Sequence, residues 1–221
     1  FDMLDLKPIY FPSEVNVAKN LFAPIASISN SIDCMVGYFT SGSLSELAGP
    51  LVSYFHAKPE AVLRMIVSPN LNLDDVRAIK KAVDTHVDML PILFEGFELT
   101  EDSLKSKTLQ ALSYLIATKK LDIRIALLDE ALFHTKSWMF ETTYGPVAVT
   151  GSGNATKSGL SKNFEQFIVS QSWVDDSAKE ICSDLKSRFD SIWSGKYPGI
   201  VSIKLSTGSL NKLEEALILL Q

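Results

Sequence analysis

Two hydrophobic rhythms alternate along the chain. Residues 32–39 form a short apolar run rich in β-branched and aromatic side chains, which predicts a strand buried on both faces. Ahead of it, Val17, Leu21 and Ile25 recur at helical spacing and predict a helix starting at Ser13. After Gly42, residues 44–55 read as a second helix. Residues 61–67 read as a second strand, closed by Ser68, Pro69 and Asn70. Val76, Ile79, Val83, Val87 and Leu90 repeat at helical spacing from Leu73 onward. Another helix follows Thr100, with Glu101 and Asp102 in its first turn and Lys119 and Lys120 at its end. Each sign suits the helix pole it occupies. Residues 121–128 form a third strand.

Beyond Asp129 the pattern turns strand-rich. Residues 133–140 alternate, 146–150 are short and apolar, 164–170 follow, and a helix runs over 178–193. No internal repeat interrupts this order. Alternating elements of these lengths predict an α/β protein, with a mixed central β-sheet flanked by helices on both faces. Residues 1–205 are expected to form one domain. Residues 206–221 open on a turn-like stretch and become an apolar helical segment without a stop signal. They are expected to be a linker and the start of a helix leading to a further domain. The start at Phe1 gives the same expectation, a piece of a longer polypeptide.

Composition narrows the function. Of 221 residues, 46% are hydrophobic and 21% charged, the balance of a folded globular protein that needs no metal or disulfide staple. There is no apolar run long enough to span a bilayer and no secretory pattern in the first residues, so a cytoplasmic protein without a membrane partner is expected. The net charge of −5 argues against broad, charge-driven nucleic-acid binding but permits a local basic groove. Charge is segregated: residues 84–102 carry six acidic and no basic side chains, and residues 105–124 carry five basic and one acidic. These are either solvated helix faces or a basic side facing a polyanion. Cys34 and Cys182 lie far apart, and with three histidines and no paired cysteines the sequence predicts buried thiols in a reducing compartment. No cluster has metal-ligand spacing, so neither a metal nor a cofactor is expected.

The chemistry concentrates in one stretch. His134 and Lys136 are two apart in a predicted strand and therefore share a face, a titratable imidazole beside a fixed positive charge. Downstream, Gly151, Ser152, Gly153 and Asn154 combine a flexible backbone with two polar side chains, and Glu165 follows eleven residues after Asn154. This pattern resembles the phospholipase D superfamily, whose signature is H-x-K-x4-D followed by G-S-x-N. Here it reads His134, Lys136, Glu141 in place of the usual Asp, then Gly151 to Asn154. Glu165 stands where nuclease-type members carry an acidic residue.

The resemblance implies a metal-independent phosphodiesterase that works through a covalent phosphohistidine. His134 would be the nucleophile, Lys136, Asn154 and Ser152 would hold the phosphate oxygens, and Glu165 would orient the histidine. Glu141 is the second choice for that role or a structural support. Members with a single motif are homodimers that build one active site from two copies, and many are nucleases. With the single motif, Glu165, and no membrane or secretion features, the resemblance implies a DNA endonuclease, the nuclease part of a restriction or defence protein. Two alternatives stay open: a lipid-directed phospholipase D-like hydrolase, and an inactive domain of the same fold used for binding or as a scaffold.

Two decoys compete with this reading. His56 and Lys58, followed by Ser68 and Asn70, imitate a second motif. However, His56 ends a helical pattern, Pro59 follows Lys58, and no glycine turn precedes Ser68. His86 falls near the apolar stripe of its helix as a core-edge residue. His134 is thus the single candidate catalytic histidine. Residues 151–158 are one residue away from a Walker A loop, with Thr156 in place of its second glycine, and residues 125–130 imitate a Walker B strand. That strand comes before the loop instead of after it, and Gly159 sits where a phosphate-binding helix should continue.

Overall fold

The strand predicted over residues 32–39 lies inside the sheet. The computed structural model describes residues 4–71, 73–84, 101–206, 210–212, 215 and 218. In chain order its elements are β1 (Ile9–Tyr10), a π-helical turn (Ala18–Phe22) leading into α1 (Ala23–Ser27), β2 (Ser29–Val36), α2 (Ser43–Ala57) and β3 (Leu63–Val67). Then come α3 (Leu73–Asp84), α4 (Glu101–Ala117), β4 (Leu121–Leu128), β5 (Lys136–Thr142) and β6 (Gly145–Gly151). The chain continues through α5 (Lys157–Ser161), β7 (Phe167–Gln171), α6 (Asp176–Trp193) and β8 (Ile200–Lys204). The eight strands form one mixed sheet in the order β1-β7-β6-β5-β2-β3-β4-β8. β2, β3 and β4 run parallel, and every other neighbouring pair is antiparallel.

Strand periodicity divides the apolar residues between two cores. On β2, Ile32, Cys34 and Val36 face the larger core, while Met35 faces the smaller. α1 to α4 cover the larger side. There Phe22 meets Trp138 edge-on at 5.2 Å and Phe167 at 5.9 Å. α6 covers the smaller side, packing Phe189 and Ile192 against Met35, Ile66, Ala126 and Met139. The Asp175 side chain starts α6 by accepting from the Ala178 amide at 2.7 Å, which satisfies one of the helix's free N–H groups. Both cysteines are buried and free. Burial, reinforced by neighbouring Asp33, holds the Cys34 thiol well above its ordinary value, and burial pushes Cys182 up to about 11.

Several boundaries differ from the sequence expectation. The first helix begins later than Ser13, because the Asn16 side chain accepts from the Lys19 amide at 2.9 Å and caps the turn there. β5 begins at Lys136 and not at residue 133, since Phe133 turns into the smaller core before the ladder starts. β7 begins at Phe167, leaving Phe164 85% exposed ahead of it. β1, α5 and β8 are additions. β1 has two residues and α5 five, too few to show a period. Val87, Leu90 and His86, and most of the acid-rich stretch, lie outside the described residues. Leu210 is fully buried in the larger core, so the helix that follows residue 206 starts against the domain.

Candidate active site

The ends of six strands meet at one edge of the sheet. β2, β3 and β4 finish there; β5 and β7 begin there; β6 arrives there with Gly151. In open α/β sheets this carboxyl edge of the parallel strands is where ligands bind, because the loops there are free to carry polar groups. The register places Lys136 opposite Val36, and Gly151 opposite Phe167. The two halves of the sequence pattern are thereby brought onto neighbouring strands.

His134 is exposed and lies just before β5 instead of within it, so strand alternation does not align it with Lys136. The two side chains meet nonetheless. Lys136 Nζ is 3.0 Å from both Nδ1 and Nε2 of His134 and donates to the His134 carbonyl at 3.1 Å. Only the ring nitrogen without a proton can accept from it. Partial burial lowers the Lys136 pKa from its ordinary value, and the facing charge of Glu165 works in the opposite direction. Gly37, at the end of β2, backs the imidazole: a Cβ built there would lie 2.8 Å from His134 Cδ2.

Asn154 Oδ1 accepts from the Tyr38 backbone N–H at 3.1 Å. Its Nδ2 makes no hydrogen bond with any described residue, so two donors remain for a ligand. Ser152 Oγ accepts from the Gln166 amide at 3.1 Å, and its backbone N–H donates to the Gln166 carbonyl at 3.2 Å. Its hydroxyl oxygen thus ties the loop to the start of β7, and its proton is left to donate. The glycines differ from the sequence reading. Gly151 lets the neighbouring strand approach, since a Cβ there would sit 1.9 Å from the Gln166 carbonyl oxygen. Gly159 does lie inside α5, contrary to expectation. A side chain would collide there with the Asn154 backbone, at 2.6 Å from its oxygen. The ATPase reading still fails on topology, because β5, β2 and β3 stand between β6 and β4.

Glu165 and Glu141 part company. Glu165 accepts from Asn163 Nδ2 at 3.2 Å and faces Lys136, and it makes no hydrogen bond to His134. It acts on the lysine through its charge, with no hydrogen bond or ion pair between the two side chains. Glu141 lies five residues along β5 from Lys136, which puts it on the opposite face. It lines a 630 Å³ groove against α6 with Tyr144, Trp173 and Lys186. Its second-choice role at the histidine is excluded by position. His56 sits in the last turn of α2. Among the described residues, no group of three or more His, Cys, Asp and Glu side chains could hold a metal, and no helix is long and apolar enough to cross a membrane. Sequence reading missed Gly37 and Tyr38 as site residues; its one available signal was an aromatic at the carboxyl end of a buried strand.

One sheet edge thus carries the His, Lys, Ser, Asn and Glu side chains of the sequence pattern. The family model described as the phospholipase D-like domain of cardiolipin synthase matches residues 22–193, and the chain belongs to that family. Among solved structures it is similar to NucT from Helicobacter pylori, with 13% identity, a TM-score of 0.49, and coverage of 88% of this chain and 97% of that one. It is also similar to Nuc, a phospholipase D family member from Salmonella typhimurium, at 13% identity, a TM-score of 0.47, and coverage of 89% and 95%. No curated protein matches the chain.

Proposed function

We propose that the protein is a phosphodiesterase that cleaves DNA without a metal ion, through a covalent phosphohistidine, as a two-fold dimer. The observation that carries this reading is the meeting of His134, Lys136 and the Asn154 loop at one open sheet edge, in a chain of the phospholipase D-like family. In the resting site Lys136 Nζ lies against the imidazole of His134, 3.0 Å from each ring nitrogen. An incoming phosphodiester offers that ammonium a stronger, charged acceptor. Lys136 moves to a non-bridging oxygen, Asn154 Nδ2 and the Ser152 hydroxyl donate to the others, and the imidazole is released to react.

The released ring nitrogen of His134 attacks phosphorus. The N–P bond forms as the ester P–O bond breaks, and the leaving alkoxide takes a proton from a second imidazolium. That acid, now neutral, removes a proton from water. The resulting hydroxide attacks phosphorus, the P–N bond breaks, and the phosphate monoester departs. Two histidines are required. Among the described residues His134 is the only one at the site, so the second comes from another copy of the chain, in the commonest closed symmetry. A polynucleotide suits an open edge. The proposal extends to a place as the nuclease part of a restriction or defence protein.

The test is cleavage of supercoiled plasmid DNA against hydrolysis of a choline lipid, both in EDTA. DNA cleavage that survives chelation, and specific activity that falls on dilution, are expected. Loss of cleavage in EDTA with rescue by Mg²⁺ would overturn the mechanism; lipid hydrolysis alone would move the assignment to a phospholipase; neither activity would leave a binding domain.

A further inference from the structure

Sequence alone gives the turn after β3, Ser68 to Asn70, no role beyond imitating a motif. The fold brings it against the site. Ser68 is 2% exposed, and its Oγ donates to the Gly37 carbonyl. Asn70 braces the same corner twice: its amide donates to Ser68 Oγ at 3.3 Å, and its Nδ2 donates to the Tyr38 hydroxyl at 3.4 Å. Tyr38 in turn sets its ring edge-on to His134, with centroids 6.4 Å apart at 89°. The Gly37 amide donates to the Thr135 carbonyl at 2.8 Å, one residue before Lys136.

The Gly37 carbonyl and the Tyr38 N–H belong to one peptide unit. That unit is planar and trans, so the two groups point in opposite directions. Fixing the carbonyl on one side therefore aims the N–H on the other. The N–H ends on Asn154 Oδ1 at 3.1 Å. The result is a hydrogen-bond chain from the Ser68 hydroxyl, through one peptide, to the Asn154 amide, and such chains polarise and stiffen their members. With Oδ1 held, the amide cannot flip without losing a bond, and its Nδ2 stays turned away from Tyr38.

We propose that Ser68 is a positioning residue. It holds the Gly37–Tyr38 peptide so that the Asn154 Nδ2 donors are set in advance for a phosphoryl oxygen. The proposal rests on the phosphodiesterase reading of the site. It is tested by a double-mutant cycle on plasmid cleavage with Ser68→Ala and Asn154→Ala. Ser68→Ala should lower kcat about 10- to 100-fold with little change in KM, the scale of a small misplacement of a catalytic group. In the Asn154→Ala background the same change should cost almost nothing further. Ser68→Thr, which keeps the hydroxyl, should recover most of the rate.

Losses that simply multiply in the double variant, or a Thr variant as slow as the Ala one, would overturn the proposal. Ser68 is buried, so the folded fraction of each variant is read by urea unfolding. Hydrogen exchange at the Tyr38 amide gives a measurement that needs neither the Ser68 variant nor turnover. It should be protected in the unsubstituted protein and exchange faster in Asn154→Ala. A Tyr38 amide that exchanges freely would sink the relay. A protected Tyr38 amide in a protein that cleaves no phosphodiester would instead sink the functional reading, and with it the catalytic purpose assigned to Ser68.

Discussion

Two charged clusters occupy this sheet, and they are built on opposite terms. One lies under α6. Asp33, 1% exposed, receives Nε and Nη2 of Arg64 at 2.7 Å each and Lys186 Nζ at 3.3 Å. Asp190 closes the ring, at 2.6 Å from Lys186 and 3.3 Å from Arg64. The guanidinium also rests over Phe189 and Trp193, at 4.9 and 5.3 Å. The other cluster stands at the sheet edge. There Lys136 meets the ring of His134, and Asn154 keeps its Nδ2 without a partner among the described residues. A charge drawn into the interior must be answered on the spot, because an unpaired one costs several kcal/mol. A polar group at an open edge carries no such obligation. Closed charges hold the fold together, and open ones are available for chemistry.

Removing the proposed nucleophile should separate activity from stability most widely. His134→Ala is expected to lose essentially all turnover on plasmid DNA while its unfolding midpoint stays near that of the unsubstituted protein, since an exposed side chain contributes within about 0.5 kcal/mol. Near-normal cleavage, or His56→Ala as the dead variant, would break the assignment. In a covalently linked dimer, one His134→Ala copy should suffice to cripple turnover, because each of the two histidine roles has a single occupant. A mixed dimer at half rate would mean that each chain holds a complete site.

The groups proposed to hold the phosphate come next. Lys136→Ala and Asn154→Ala should each lose about 100- to 1,000-fold in kcat, the usual cost of one preorganised donor to developing charge. Both should bind DNA with smaller losses than they suffer in turnover. A loss confined to KM would show instead that these groups act only in binding.

The closed cluster should give the reverse result. Arg64→Ala leaves Asp33 buried with Lys186 alone and should destabilise the fold by about 3–5 kcal/mol, read by urea unfolding. Its kcat per folded molecule should stay within about twofold at low temperature. An Arg64→Ala protein that is stable but inactive would merge the two clusters and undo the distinction between them.

The open cluster was legible in the sequence; the closed one was not. His134, Lys136 and Asn154 carry a linear spacing, so a pattern finds them. Asp33 sits inside an apolar run and reads as one polar break in a buried strand. Its partners Arg64 and Lys186 come from β3 and α6, and no local period links the three. The sheet class and its long elements were legible too, because β2, β4 and α6 bury regular faces. The short pieces were not. β1 and α5 have too few residues to show a rhythm, and α5 carries a glycine that only its packing on Asn154 explains. The choice between Glu165 and Glu141 needed the structure. Strand parity from Lys136 already argues against Glu141, but only once β5 is known to run unbroken to Thr142.

The smallest effect is expected where the open cluster most resembles a closed one, at Glu165. Partial burial lowers the Lys136 pKa, and the Glu165 carboxylate opposes that shift. In the proposed mechanism Lys136 must keep its proton to hold a phosphate oxygen, so turnover should fall on the alkaline side as that proton is lost. Glu165→Gln removes the negative charge and leaves the desolvation in place. Lys136 then releases its proton more easily, and the alkaline limb of the kcat profile moves to lower pH. At neutral pH the rate should drop by no more than about fivefold, the range of a weak, partly screened charge interaction. Glu141→Gln, on the far face of the sheet, should leave the same limb where it is. If Glu165→Gln shifts only the acid limb, the carboxylate serves His134 and not Lys136. If neither limb moves, the charge of Glu165 has no part in the reaction.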